Sequence, residues 1–255
     1  MLFWYPALGV YSVGSTIIRT FFHDERILPF SPYVPESPPY WFLHLVEDYT
    51  FLVLFCSLSF DIFFSTILLQ TLVQWKILNN VLDGVMNSRA ETYEERYKLK
   101  VGLKKCVDHH NFLIGYVNRV NQLMGHVNLG LLGLVISTYC VVIFAIIKSP
   151  MADLLTRVSL LCIYTMQFIL FYILPAQLLT NESEKTAELS FASNWDESGS
   201  DLKKPYLMMI SNSACRPVYI SALGFVSMTF INGLQTYKLV FSYYTFLNNV
   251  NNKGT

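Results

Sequence analysis

An all-α integral membrane protein is the fold class predicted here, on three observations. Of the 255 residues, 53% are hydrophobic and only 14% are charged, whereas soluble domains carry roughly 25% charged residues. The charges are gathered in blocks, which leaves long uncharged runs between them. Those runs are continuous and lack the alternation of an outer-membrane barrel. Hydrocarbon offers no water to backbone groups, so each run must be a helix. Net charge is zero, which gives no reason to expect a nucleic-acid partner. The apolar and aromatic content excludes disorder over most of the length.

The runs follow in order. Met1 to Ile18 precede the first charge, Arg19, and Tyr49 to Trp75 contains Asp61 alone. Val120 to Ile147 and Val158 to Asn181 carry no charge, and Pro217 to Leu247 is interrupted only by Lys238. A bilayer core of about 30 Å needs roughly 20 such residues in a helix. The predicted spans are therefore 1–20, 49–75, 127–147, 158–180 and 217–247.

Their direction follows from lysine and arginine. Residues 76–126 hold Lys76, Arg89, Arg96, Lys98, Lys100, Lys104, Lys105 and Arg119, and residues 181–216 hold Lys185, Lys203, Lys204 and Arg216. These are twelve of the 18 basic residues. The positive-inside rule places both segments in the cytoplasm, with the C-terminus outside. Met1 opens directly onto Leu2-Phe3-Trp4-Tyr5 with no charged flank. The expectation is a first helix that has been cut into, with earlier helices missing.

Between the first two spans, residues 21–48 contain Pro29, Pro32, Pro35, Pro38 and Pro39 among Phe30, Tyr33, Tyr40 and Trp41. Proline at that density forbids a continuous helix, and Tyr and Trp suit the headgroup level. An ordered surface loop and a lid over a ligand entrance both fit. The cytoplasmic segment 76–126 reads as helix, with Tyr93, Tyr97, Val101, Leu103, Val107, Phe112, Leu113 and Val117 near helical spacing. One apolar stripe of that kind needs a partner.

Catalytic and metal chemistry find little support. None of Cys56, Cys106, Cys140, Cys162 and Cys215 falls in a predicted outer loop, so a disulfide framework is not expected. Cys106-x-x-His109-His110 lacks the second ligand cluster of a zinc site and reads as helix packing. Asn181-Glu182-Ser183 matches the glycosylation sequon but lies on the cytoplasmic side. No nucleophile elbow, phosphate loop or His-Glu-x-x-His is present, so neither an enzyme nor a cofactor is expected. Two charges lie within spans. Asp61 and Lys238 would each cost about 2.5–3.5 kcal/mol at the bilayer centre unless paired, snorkelled or turned to a cavity.

The C-terminal half becomes specific in its residues. Asn181-Glu182-Ser183 is followed by Phe191-Ala192-Ser193-Asn194-Trp195, Lys203-Lys204-Pro205, Leu207-Met208-Met209-Ile210 and Arg216-Pro217. The last run closes with Lys238-Leu239-Val240-Phe241-Ser242-Tyr243-Tyr244-Thr245-Phe246-Leu247. This order resembles the insect odorant receptors, which carry a Glu-Ser pair, an aromatic-x-x-x-Trp element, a basic-Pro step and a terminal Tyr-Ser-Tyr-Phe-Thr-like string. Leu28-Pro29-Phe30 resembles that family's second outer loop, and Cys106-x-x-His109-His110 its cytoplasmic helix before the fifth span. The resemblance runs from the third helix to the seventh. Phe191 stands where the family usually has Tyr, and Gly233 where a large apolar residue is common.

The resemblance implies an odorant-gated, non-selective cation channel of seven helices, assembled as a hetero-tetramer with a co-receptor in the dendritic plasma membrane of olfactory neurons. Its partners would be a small volatile odorant, the co-receptor and the bilayer. The last helix would line the pore. The gate maps onto Phe246, bulkier than the family's usual aliphatic residue, with Asn249 as a polar ring one turn further out; an apolar ring gates by dewetting. For the ligand, Tyr11, Ser15, Phe51, Phe55 and Tyr164 lie in the outer halves of predicted spans and would present an apolar, aromatic cavity with a few polar tips. A gustatory-type receptor of the same fold is the neighbouring alternative, against which the Ser-Tyr-Tyr-Thr string argues. A transporter should show broken helices or a repeat, and neither is visible. The Asp-Arg-Tyr and Asn-Pro-x-x-Tyr motifs of G-protein-coupled receptors are absent.

Overall fold

The computed structural model describes residues 40–86, 88, 92–147, 151–192, 207, 211 and 218–253. The first predicted span, with Tyr11 and Ser15, lies outside them, as does most of the proline-rich loop. The described chain is helical throughout, apart from one hairpin. Helix α1 spans Tyr40–Met86, α2 Tyr93–Ile147 and α3 Met151–Phe168. A π-helical turn, Ile169–Ile173, leads into α4, Leu174–Ala192. Strands β1 (Ser221–Ala222) and β2 (Val226–Ser227) pair antiparallel, and α5 closes the chain over Phe230–Lys253. Two compact units divide it, Met1–Phe63 and Phe64–Thr255.

Helix length is the first departure from ordinary globular proportions. The 55 residues of α2 extend about 80 Å at 1.5 Å per residue, far more than the roughly 30 Å of a bilayer core. Thr92 starts this helix with a reciprocal capping box: Glu95 N–H donates to Thr92 Oγ1 at 3.4 Å, and Thr92 N–H donates to Glu95 Oε2 at 3.1 Å. Among the described residues, three stretches are long and apolar enough to cross a membrane: Phe55–Val85, Tyr93–Phe144 and Arg157–Ala192. Large apolar side chains such as Leu134, Val141, Leu155 and Ile163 are exposed on this chain, a surface suited to lipid or to other subunits rather than to water.

The π-helical turn has a local cause. Pro175 has no N–H to donate and its ring would clash with the carbonyl four residues back. The preceding turn widens to relieve this, and Leu174 N–H reaches Ile169 O, five residues back.

In the second unit the buried residues of α1, Phe64, Leu68, Leu72, Trp75, Leu78 and Leu82, recur at steps of three and four. Those of α2, Leu103, Cys106, His110, Leu113, Val117 and Val120, do the same. The sequence pattern merged two faces of α2 into one stripe. Leu103, Leu113 and Val117 are buried, whereas Tyr93, Tyr97, Val101 and Phe112 point outward. Residues three or four apart share a face, and the pairs Tyr93/Tyr97 and Leu113/Val117 obey that rule on different sides. Cys106 and His110 lie on the buried face as packing groups. Burial raises the thiol of Cys106 above its ordinary pKa, which keeps it protonated.

The uncharged run beginning at Pro217 does not open as a helix. Residues 218–229 form the hairpin with its flanks, and helix begins only at Phe230. Asp61 is buried, at 2% exposure, while Lys238 is exposed on α5.

Candidate functional site

The elements that hold α5 converge on its first half. Thr229 precedes the helix and accepts from Asn232 N–H at 3.4 Å through its hydroxyl, a standard N-cap. Gln177 of α4 satisfies a further N-terminal donor from outside, its Oε1 accepting from Phe230 N–H at 3.1 Å. Asn232 turns its amide back to Ser227, donating to the carbonyl at 2.9 Å and to the hydroxyl oxygen at 2.7 Å. The start of α5 is thereby bonded to both the hairpin and α4.

One turn further, Gly233 meets the π-helical turn. A Cβ there would lie 2.6 Å from Ile173 Cδ1, so alanine fits only if the tip of that side chain turns away. Gly233→Ala is expected to destabilise the protein by about 1 kcal/mol, because the overpacking cost of moving the tip of Ile173 is partly offset by alanine's better helix propensity. Thermal unfolding of the solubilised protein would check this, and an unshifted midpoint would mean the contact has slack.

At Tyr237, three helices meet through hydroxyl groups. Tyr139 of α2 donates to Thr165 Oγ1 of α3 at 2.9 Å, and Thr165 in turn donates to Leu161 O at 2.7 Å. Tyr237 OH stands 3.3 Å from Tyr139 OH. Tyr139 has spent its one proton, so Tyr237 is the donor of that pair. The two rings meet edge to face, with centroids 5.3 Å apart and planes at 81°.

A second polar cluster ties α1 to α4. Trp75 Nε1–H donates to Thr186 Oγ1 at 2.8 Å, and Thr186 donates to Asn79 Oδ1 at 2.7 Å. Asn79 Nδ2 then donates to the Glu182 carbonyl at 2.9 Å and to its Oε1 at 3.1 Å. Trp75, Asn79 and Thr186 are all buried, and every link is made, as burial of polar groups demands. The rest of the buried face of α4 is Pro175, Ala176 and Leu179 with Thr180, Ser183 and Ser190, whose hydroxyls turn onto their own helix, as in Ser183 to Thr180 O and Ser190 to Thr186 O, both 2.7 Å. Small side chains of this kind let helices approach closely.

Of the residues expected to touch a ligand, Phe55 is 37% exposed and Tyr164 is 41% exposed; each belongs to its own unit. Phe51 lies within α1, and Phe246 and Asn249 within α5, with side chains outside the described set. A cavity of about 690 Å³ opens elsewhere, between α1 and α2, lined by Thr66, Leu69, Gln70, Val73, Phe112 and Tyr116 among others. Phe55 and Tyr164 take no part in it. Among the described residues no group of His, Cys, Asp and Glu could hold a metal ion.

The fold is similar to that of solved structures of the insect olfactory receptor OR5 from Machilis hrabei, one of them in complex with eugenol. The TM-score is 0.72 for both, at 12% identity, over 97% of this chain and 65% or 64% of those chains. In sequence the chain is 24% identical to Odorant receptor Or2 of Anopheles gambiae, over 96% of its own length and 67% of that protein. The family model described as 7tm Odorant receptor matches residues 1–240. The chain belongs to the insect odorant receptor family. This odorant receptor chain spans about two thirds of the length of the relatives it matches. The helical membrane bundle expected from composition and the family expected from the Glu182-Ser183 to Thr245-Phe246 order are both borne out.

Reading the sequence overlooked Asn79, Pro175, Thr186 and Gly233's partner Ile173. A proline inside an uncharged run was the signal for the π-helical turn. For Asn79 and Thr186, 107 residues apart in the chain, no local signal exists.

Proposed function

We propose that this odorant receptor chain forms part of the ligand-binding subunit of an odorant-gated, non-selective cation channel that works with a co-receptor in the plasma membrane of olfactory neuron dendrites. Family membership over residues 1–240 is the observation that carries this reading. In it, the basic segments 76–126 and 181–216 are cytoplasmic and α5 lines the pore. Tyr11, Ser15, Phe51, Phe55 and Tyr164 contribute to an apolar pocket, where burial yields about 25 cal/mol per Å² of apolar surface. A ligand opens the channel only by binding the open state more tightly than the closed one. Phe246 supplies the apolar constriction and Asn249 the polar ring outside it.

The test is a recording. The full-length protein containing this chain, expressed with the co-receptor, is expected to pass cation current when volatile odorants are applied. Phe246→Ala is expected to raise basal current or to alter ion selectivity. A channel unchanged by that substitution removes Phe246 from the pore, and no evoked current from any odorant overturns the reading as a whole.

A further inference from the structure

The hairpin before α5 is held on α2 by a face of three residues. The Asn121 side chain donates from Nδ2 to Tyr219 O at 2.7 Å and accepts from Ser221 N–H at Oδ1 at 3.0 Å. This reciprocal pair occupies the place of a neighbouring strand's peptide. Asn128, two turns along, donates to Ser221 O at 3.5 Å. Between them is Gly125, where a Cβ would stand 3.2 Å from Leu223 N and 3.4 Å from Leu223 Cα. The turn is tight: Phe225 N–H donates to Ala222 O at 3.0 Å, and Leu223 has φ 53° and Gly224 φ 78°, a left-handed pair suited to a hairpin. On the upstream side, Val218 is bonded to α4, its carbonyl accepting from Thr180 Oγ1 at 3.0 Å and its N–H donating to Ser183 Oγ at 3.3 Å.

We infer that the Asn121–Gly125–Asn128 face of α2, through the docked hairpin, is the fulcrum of the last helix, and that Asn121 is a positioning residue for gating. The inference rests on the channel reading. Helix α5 is held at two heights, at its base by the hairpin and Gln177 and at Tyr237 by Tyr139 and Thr165. Tyr237 lies about 10 Å and Phe246 about 24 Å along the helix from Phe230 at 1.5 Å per residue. With the base fixed, a lateral displacement at Tyr237 is more than doubled at Phe246. Thr165 is the immediate neighbour of Tyr164, so a ligand against that part of α3 acts at the driven point of the lever. With the base free, α5 follows α3 as a rigid body and the far end gains nothing.

The test uses the full-length receptor with its co-receptor, reading surface level by biotinylation and odorant-evoked current in the same cells. Asn121→Ala is expected to leave the surface level intact and to raise the odorant concentration for half-maximal current by about tenfold, the scale of two neutral hydrogen bonds. Asn121→Asp, which places a carboxylate against the Tyr219 carbonyl, should shift it at least as far. Gly125→Ala provides an independent reading: its Cβ would crowd the Leu223 backbone, so it should shift the dose response in the same direction. An unshifted dose response for Gly125→Ala at normal surface level overturns the docking, and an unshifted one for Asn121→Ala overturns the fulcrum. No evoked current from the unsubstituted receptor overturns the channel reading, and the fulcrum with it.

Discussion

Trp75→Ala is expected to lower the stability of the solubilised receptor by about 3–5 kcal/mol, the range for truncating a buried large aromatic. In a chain of this size that is on the order of 10 °C in melting midpoint. Two losses combine. Trp75 is fully buried, with its ring edge to face against His110 at 5.8 Å. Its indole N–H is also the first link of the chain through Thr186 and Asn79 to Glu182. Trp75→Phe separates the two, because it keeps most of the apolar surface and removes only the donor, at about 1 kcal/mol. Thermal unfolding of both variants beside the unsubstituted protein would check the ratio. Equal midpoints for Trp75→Ala and the unsubstituted protein would mean that α1 and α4 are joined by something other than this cluster.

Acid should weaken the same region through His110. This histidine is buried in the charged part of α2, before the apolar half that reads as a span at 127–147. Burial first, and then the neighbouring charge of His109, lower its pKa from 6.5 to about 4. The imidazole is therefore neutral in the folded state at pH 7. Between pH 6.5 and 4 the unfolded chain binds this proton and the folded chain does not, so stability falls as pH falls through that window. The loss begins below pH 6.5 and levels off below pH 4. Its full extent is about 3 kcal/mol at 1.36 kcal/mol per pKa unit. His110→Gln should lack this component. Urea titrations of both proteins across pH 7.5 to 4 would show it as a converging difference, and parallel curves would contradict the assignment.

Much of the chain was legible one segment at a time. Uncharged length pointed to the stretches within α1, α2 and α3 through α4 that are long and apolar enough to cross a membrane, because the bilayer imposes a minimum run and forces it to be helical. The Cys106–His110 segment read as packing because no second ligand cluster lies near it in the sequence. The face of Tyr93, Tyr97 and Phe112 did not separate from that of Leu113 and Val117, because several residues of intermediate character sit between the two stripes. Pro175 was visible, but whether a helix kinks, breaks or widens at a proline depends on what its neighbours allow.

The sequence by itself determined the membrane class, the helical content and the family, properties that depend on local composition, periodicity and the order of short motifs. Only the tertiary structure decided where the last helix starts. Residues 218–229 are as uncharged as those that follow, yet Asn121, Asn128, Thr180 and Ser183 capture their backbone groups from two other helices. A backbone donor or acceptor satisfied from outside has no need of its own helix. Those partners lie 35 to 100 residues away in the chain. No window along the sequence contains both ends of such a bond.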